Sequence, residues 1–102
     1  MLLTLTVAAP DGNLVDFEAV HMTLDEQLNE LHAAQCRTSP TAVNEIHQVF
    51  EADSPPSRTL TFLIHSNAPQ AKLQALCEQF RNDTLAEFPK ANLIIAWAIA
   101  RS

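Results

Sequence analysis

What this chain has least of is glycine, cysteine and basic residues: of its 102 residues one is Gly, two are Cys and six are Lys or Arg. With Gly12 alone, no glycine-rich loop is available to bring backbone amides against a phosphate, and no motif with a specific chemical mechanism takes its place. Six basic residues against twelve acidic ones leave a net charge of −6, the wrong sign for nucleic acid, whose binding draws on clustered Lys and Arg. Cys36 and Cys77 fall in expected helices at positions compatible with burial and read as reduced small hydrophobes, not as a disulfide. His32 and Cys36 stand four apart on one helical face, yet two ligands do not make a metal site, and neither a Cys-x-x-Cys nor a His-Glu-x-x-His pattern completes them. The longest apolar run, Leu93 to Ala100, is too short to cross a bilayer, and the amino end lacks the basic region of a secretory leader. A cytoplasmic protein with no membrane association, no cofactor and no metal is the expectation.

What is present describes one ordinary domain. At 47% apolar and 18% charged, residues 1–102 suit a single globular core. The charge is lopsided. Residues 1 to 53 hold nine acids (Asp11, Asp16, Glu18, Asp25, Glu26, Glu30, Glu45, Glu51, Asp53) against Arg37 alone, or −8; residues 54 to 102 hold three (Glu78, Asp83, Glu87) against five bases (Arg58, Lys72, Arg81, Lys90, Arg101), or +2.

The clearest structural pattern lies in Thr59 to Ile99. Leu60, Phe62 and Ile64 alternate with Thr61, Leu63 and His65, which predicts a strand, and Ser66, Asn67 and Pro69 then supply a helix start. Leu73, Leu76, Cys77, Phe80 and Thr84 line one helical face, and Pro89 ends that helix. Leu93 to Ile99 is apolar at both parities, which predicts a strand covered on both sides or near the sheet centre, joined to the first by a parallel, right-handed crossover.

The first half predicts an antiparallel ribbon followed by two helices. Leu3, Leu5 and Val7 alternate with Thr4 and Thr6 in a first strand; Ala9 to Asn13 form a turn in which Gly12 supplies a positive φ. A returning strand from Leu14 to Met22 changes its apolar parity near Ala19, as a β-bulge would make it do. Thr23 and Glu26 form a capping box for a helix from Leu24 to Arg37, and Ser39-Pro40 starts a second piece to Phe50 with Val43, Ile46, His47 and Phe50 inward. Asp53 to Ser57 is a stiff linker.

The predicted order is thus ββααβαβ, an α+β two-layer sandwich with a four-stranded mixed sheet, helices mainly on one face, and the Thr-bearing face of the first strand left to solvent or a second subunit. A ferredoxin-like relative is the nearest common architecture, and the early hairpin before a capped helix also resembles a ubiquitin-like start.

Two sets of residues are candidates for function. His65, Ser66 and Asn67 lie between a strand and a helix, where α/β sheets place ligands, although Ser66 and Asn67 are also explained as caps, with Gln70 completing a box. Asp16, Glu18, Asp25, Glu26 and Glu30 form an acidic surface suited to a basic partner. His47 on an apolar stripe is expected in the core, and Trp97 too unless its strand is at an edge. No constellation of catalytic residues appears, so the expected function is that of a small, acidic, non-enzymatic interaction or regulatory domain of the inhibitor or immunity type. The alternative is a small-molecule binder or minor enzyme at His65 to Asn67, and a homodimer formed through the sheet is a further expectation.

Overall fold

The computed structural model describes residues 1–101. Leu3, Leu5, Val7 and Ala9 alternate with Leu2, Thr4, Thr6 and Ala8 in the first strand, β1 (Leu2–Ala9), so one parity is fully buried and the other half-buried. After a 3-10 turn at Gly12–Leu14 come α1 (Phe17–Cys36), β2 (Asn44–Ser54), β3 (Ser57–Ser66), α2 (Gln70–Glu87) and β4 (Ile94–Ala100). The strands form one sheet in the order β2-β3-β1-β4, and every pairing is antiparallel. Both helices lie against one face of it. Leu24 and Leu28 from α1 and Leu76, Cys77 and Phe80 from α2 meet Leu3, Leu5, Val7, Phe62 and Ile64 in a single core. Each such Leu or Phe contributes about 1.5–3 kcal/mol by leaving water.

The two-layer α+β sandwich with a four-stranded sheet and helices on one face is present as the sequence implies; the element order and the mixed pairing are corrected. The observed order is βαββαβ. Leu14 to Met22 is no returning strand, because Phe17, Val20, Leu24 and Leu28 recur at three and four residues and are the buried stripe of α1. The change of parity at Ala19 was helical spacing, not a bulge. Asp16 caps this helix, and Val15 and Val20, both in the core, occupy the two positions of a hydrophobic staple. Thr23 is mid-helix and does not cap; its hydroxyl donates back to the Ala19 carbonyl at 3.0 Å.

The second predicted helix piece is β2. A register shift between Ile46 and Gln48 leaves His47 as an extra residue, so the residues on the helix side, Ile46 and Val49, stand three apart and imitate a helical period. His47 is accordingly exposed, not in the core. The supposed linker is the turn of the β2–β3 hairpin, held by the Ser57 hydroxyl donating to the Ser54 carbonyl at 2.9 Å. Gly12 takes no positive φ. Its reason is crowding: a Cβ there would stand 2.3 Å from Cδ of Arg58.

The strand–helix–strand reading of the carboxyl half stands, with all five predicted inward residues of α2 buried. Its placement does not. Since β3 and β4 each pair antiparallel with β1, they run the same way with β1 between them, and β4 is an edge strand, not a central one. Its two-sided apolar pattern leaves Ile94 64% exposed on the face away from the helices. Cys77 is buried, which pushes its thiol up to about 12, and Cys36 at the end of α1 is exposed, contrary to the expectation that both pack inward. No helix among the described residues is long and apolar enough to cross a membrane.

Thr84 is fully buried and its hydroxyl has no hydrogen-bond partner. Thr84→Val should therefore raise the unfolding free energy by about 1 kcal/mol, seen as a higher urea midpoint at constant slope; a lower midpoint would mean that the hydroxyl is paired.

Candidate functional site

Helix α1 overhangs the edge strand β2, and between them runs a groove of about 490 Å³, walled by His21, Asp25, Leu28 and Asn29 on one side and by Asn44 to Val49 on the other. Two features of the sequence build it. Leu28 and Ile46 pack toward the core and hold the two elements together, while the bulge at His47 turns that residue's ring out onto the other face of β2, where it stacks on His65 with centroids 4.4 Å apart and planes 5° from parallel. Being at the edge of the sheet, β2 also presents backbone N–H and C=O groups with no neighbouring strand.

The groove is acidic because neither α1 nor β2 contains a single Lys or Arg. Glu51 and Asp53 at the far end of β2 are paired with Arg58, which donates to both carboxylates, to Asp53 at 3.2 Å, and lies over the ring of Phe17. Asp53 and then Glu51 hold the guanidinium above its ordinary pKa. Asp25 and Glu45 have no such partner; Asp25 has only the His21 ring, at 3.5 Å.

The five acidic residues singled out from the sequence do not form one patch. Asp16 is structural: its Oδ1 accepts from the backbone N–H of Glu18 at 3.0 Å and of Ala19 at 3.3 Å. Glu18 and Asp25, seven apart, share the flank of α1 that looks toward β2, with the exposed Met22 between them. Glu26 and Glu30 turn the other way, and Glu30 lines a hollow shared with Lys72 of α2. The β2 wall of the groove was missed because the segment was read as helix; within it Glu45 and His47 turn their side chains to the other face.

The second candidate, His65-Ser66-Asn67, ends β3 as expected, and a hollow of about 290 Å³ lies beside it, lined also by Met1, Leu2 and Val43. Most of its polar atoms are engaged. The Ser66 hydroxyl donates to Oδ1 of Asn44 at 2.6 Å and accepts from the backbone of Ala68. The Asn67 side chain accepts from the Val43 amide at 2.8 Å and from Gln35 at 2.9 Å and donates to the Thr41 carbonyl. Together they form a clasp that fastens the loop after α1 to the sheet. Asn67 caps no helix, since α2 begins at Gln70 after Pro69 with no side-chain cap. The His32 ring is likewise engaged, 3.1 Å from the Asn44 side chain. Among the described residues no three His, Cys, Asp or Glu side chains stand close enough to hold a metal ion. Trp97, on its edge strand, points to the helix side, where its N–H donates to Gln74 at 2.9 Å and Arg81 lies over the ring.

If Asp16 serves the helix and not a partner, Asp16→Ala should cost about 1 kcal/mol of stability. Glu26→Ala should change it by less than about 0.5 kcal/mol; equal denaturation midpoints for the two variants would contradict the assignment.

No protein-family model matches the chain, and no curated protein sequence does. Solved structures resemble it in shape. Formyltetrahydrofolate deformylase from Burkholderia mallei superposes over 99% of this chain with a TM-score of 0.59 at 15% identity, but the chain spans only 29% of that enzyme. The C-terminal domain of the MgtC protein from Mycobacterium tuberculosis matches 97% of this chain and 86% of its own length, with a TM-score of 0.57 at 12% identity. A de novo designed protein with a ferredoxin fold, LFR1 1, matches over 99% and 86% with a TM-score of 0.54 at 10% identity. At such identities the likeness is one of fold alone, and with the βαββαβ order and the antiparallel sheet it makes this a ferredoxin-like α+β domain.

Proposed function

We propose that the chain is a non-enzymatic interaction domain that receives a basic segment of a protein partner along the groove between α1 and β2. The observation that carries this reading is the coincidence of an edge strand with open backbone groups and of acids flanking it on both sides, Asp25 across the groove and Glu45 on the face away from the helices, with no Lys or Arg on α1 or β2. An extended peptide adding to β2 would gain main-chain hydrogen bonds, and basic side chains on it would meet the acids. The bulge at His47 interrupts the ladder, so pairing would be strongest along Gln48 to Ser54. The charge adds encounter rate and specificity more than raw affinity.

The competing reading places a small molecule beside His65, Ser66 and Asn67. It is less well supported, because the Ser66 hydroxyl and the Asn67 amide are already committed to the clasp and the His65 ring stacks on His47.

The test is an NMR titration with a short alternating lysine–valine peptide at low salt. Amide shifts should concentrate in residues 21–29 and 44–54, and the double variant Asp25→Asn, Glu45→Gln should raise the dissociation constant by roughly tenfold. That difference should shrink at high salt. Shifts centred on α2 or β4, or equal affinities for the variant and the native chain, would refute the proposal.

A further inference from the structure

The face of the sheet turned away from the helices carries a size pattern that the groove does not explain. Cross-strand registers define its rows. One row runs Phe50, Thr61, Thr6, Ala96 from β2 to β4, and the next runs Ala52, Thr59, Ala8, Ile94. In each row a large apolar side chain stands at one edge and an alanine at the other, and the large one changes sides: Phe50, 47% exposed, on β2 and Ile94, 64% exposed, on β4. A shallow hollow of about 200 Å³ lies over Thr4, Thr6, Ala96, Trp97 and Ala98. Between the edges the middle of the face is threonine and alanine in these two rows, with the Thr6 and Thr61 hydroxyls 3.4 Å apart, and Leu63, Leu2 and His65 continue it toward the other end of the sheet.

We infer that this face docks on the same face of a second copy, about a two-fold axis that runs along the strands between β1 and β3. Such an axis lays β2 of one copy over β4 of the other and keeps each row level. Phe50 then sits over the partner copy's hollow at Ala96, Ile94 sits over Ala52, Thr61 meets Thr6, Thr59 meets Ala8, and in the following rows Leu63 meets Thr4 and His65 meets Leu2. The alternation of large and small at facing positions is what lets two sheets interdigitate about 10 Å apart. A two-fold contact repeats each pair twice, so one knob and one hollow on the same surface are enough.

Charge selects the same face. Two copies at −6 each repel, and β1, β3 and β4 contribute no carboxylate or Lys or Arg to this side of the sheet; Glu45, at a corner, comes over the partner copy's Ala100. The extent is adequate for a modest association. Four strands about 4.8 Å apart, with some seven residues each at about 3.3 Å, give a projected face of roughly 450 Å². Two copies bury roughly 900 Å² before corrugation is counted, below the figure of about 1,200 Å² for stable specific interfaces and within the range of weak ones. The peptide groove lies on the helix side of β2, and Glu45 alone is common to the two surfaces.

Sedimentation equilibrium of the full chain decides it. The native protein should pass from monomer to dimer within roughly 10 to 500 µM. Phe50→Ala, which empties the knob, and Ala96→Phe, which fills the hollow, should each weaken the dimer by roughly tenfold. The double variant moves the knob across the axis and should recover most of that loss, a result that mere misfolding cannot imitate. Ala98→Asp should give a monomer, and Asn82→Asp on α2 should leave the dimer intact, with circular dichroism confirming that all variants are folded. A native chain that stays monomeric throughout, or a dimer indifferent to Phe50→Ala and Ala98→Asp, would overturn the inference.

Discussion

The structure depends on one constraint: its sheet has a single face that the helices can cover. The central strand β1 obeys it most strictly, with Leu3, Leu5, Val7 and Ala9 buried toward the helices and Leu2, Thr4, Thr6 and Ala8 turned away. A slip of one residue would exchange the two sets, so the register of β1 against β3 and β4 is set by burial alone. The two helices then have no freedom in what they present. The stripe Phe17, Val20, Leu24, Leu28 and the stripe Leu73, Leu76, Cys77, Phe80 must both point to that face, and their remaining sides go to water.

From this one-sidedness the surface divides into regions of different chemistry. The outward sides of α1 and β2 carry the acids, and Arg58 is used at Glu51 and Asp53. The exposed face of the sheet carries threonine, alanine and the apolar side chains of Leu2, Phe50, Leu63 and Ile94 but almost no charge. A cluster of polar side chains, Asn44, Ser66, Asn67 and Gln35, is consumed in holding the loop between α1 and β2 to the end of β3. That clasp occupies the place where sequence reasoning set a ligand site, and its hydrogen bonds keep β2 in position beneath α1.

How much of this was legible in the sequence depended on whether a periodicity had a competitor. The carboxyl half was readable, since the α2 stripe is long and Pro89 ends it, and the alternation in β3 is uninterrupted. The amino half was not, for two reasons of spacing. Val15, Phe17, Val20 and Met22 satisfy a strand with a bulge as well as they satisfy a helix, and only the Asp16 cap and the continuation to Leu24 and Leu28 decide between them. In β2 the reverse occurs: the extra residue His47 puts Ile46 and Val49 three apart, so a real bulge reads as a helix. The groove was illegible for the same reason, because Glu45 and His47 acquire their positions only once β2 is a strand. The edge position of β4 was hidden by its composition; alanines and isoleucines on both faces suit a buried strand, and pairing with β1 on one side only is a property of the whole sheet.

Amide hydrogen exchange tests the architecture most directly. The strand order requires β1 and β3, each paired on both sides, to hold the slowest amides, while β4 should show slow amides only where they bond to β1 and fast ones where they face outward. Uniform protection along residues 94–100, equal to that of β1, would put β4 in the middle of the sheet and contradict the arrangement on which both proposed surfaces rest.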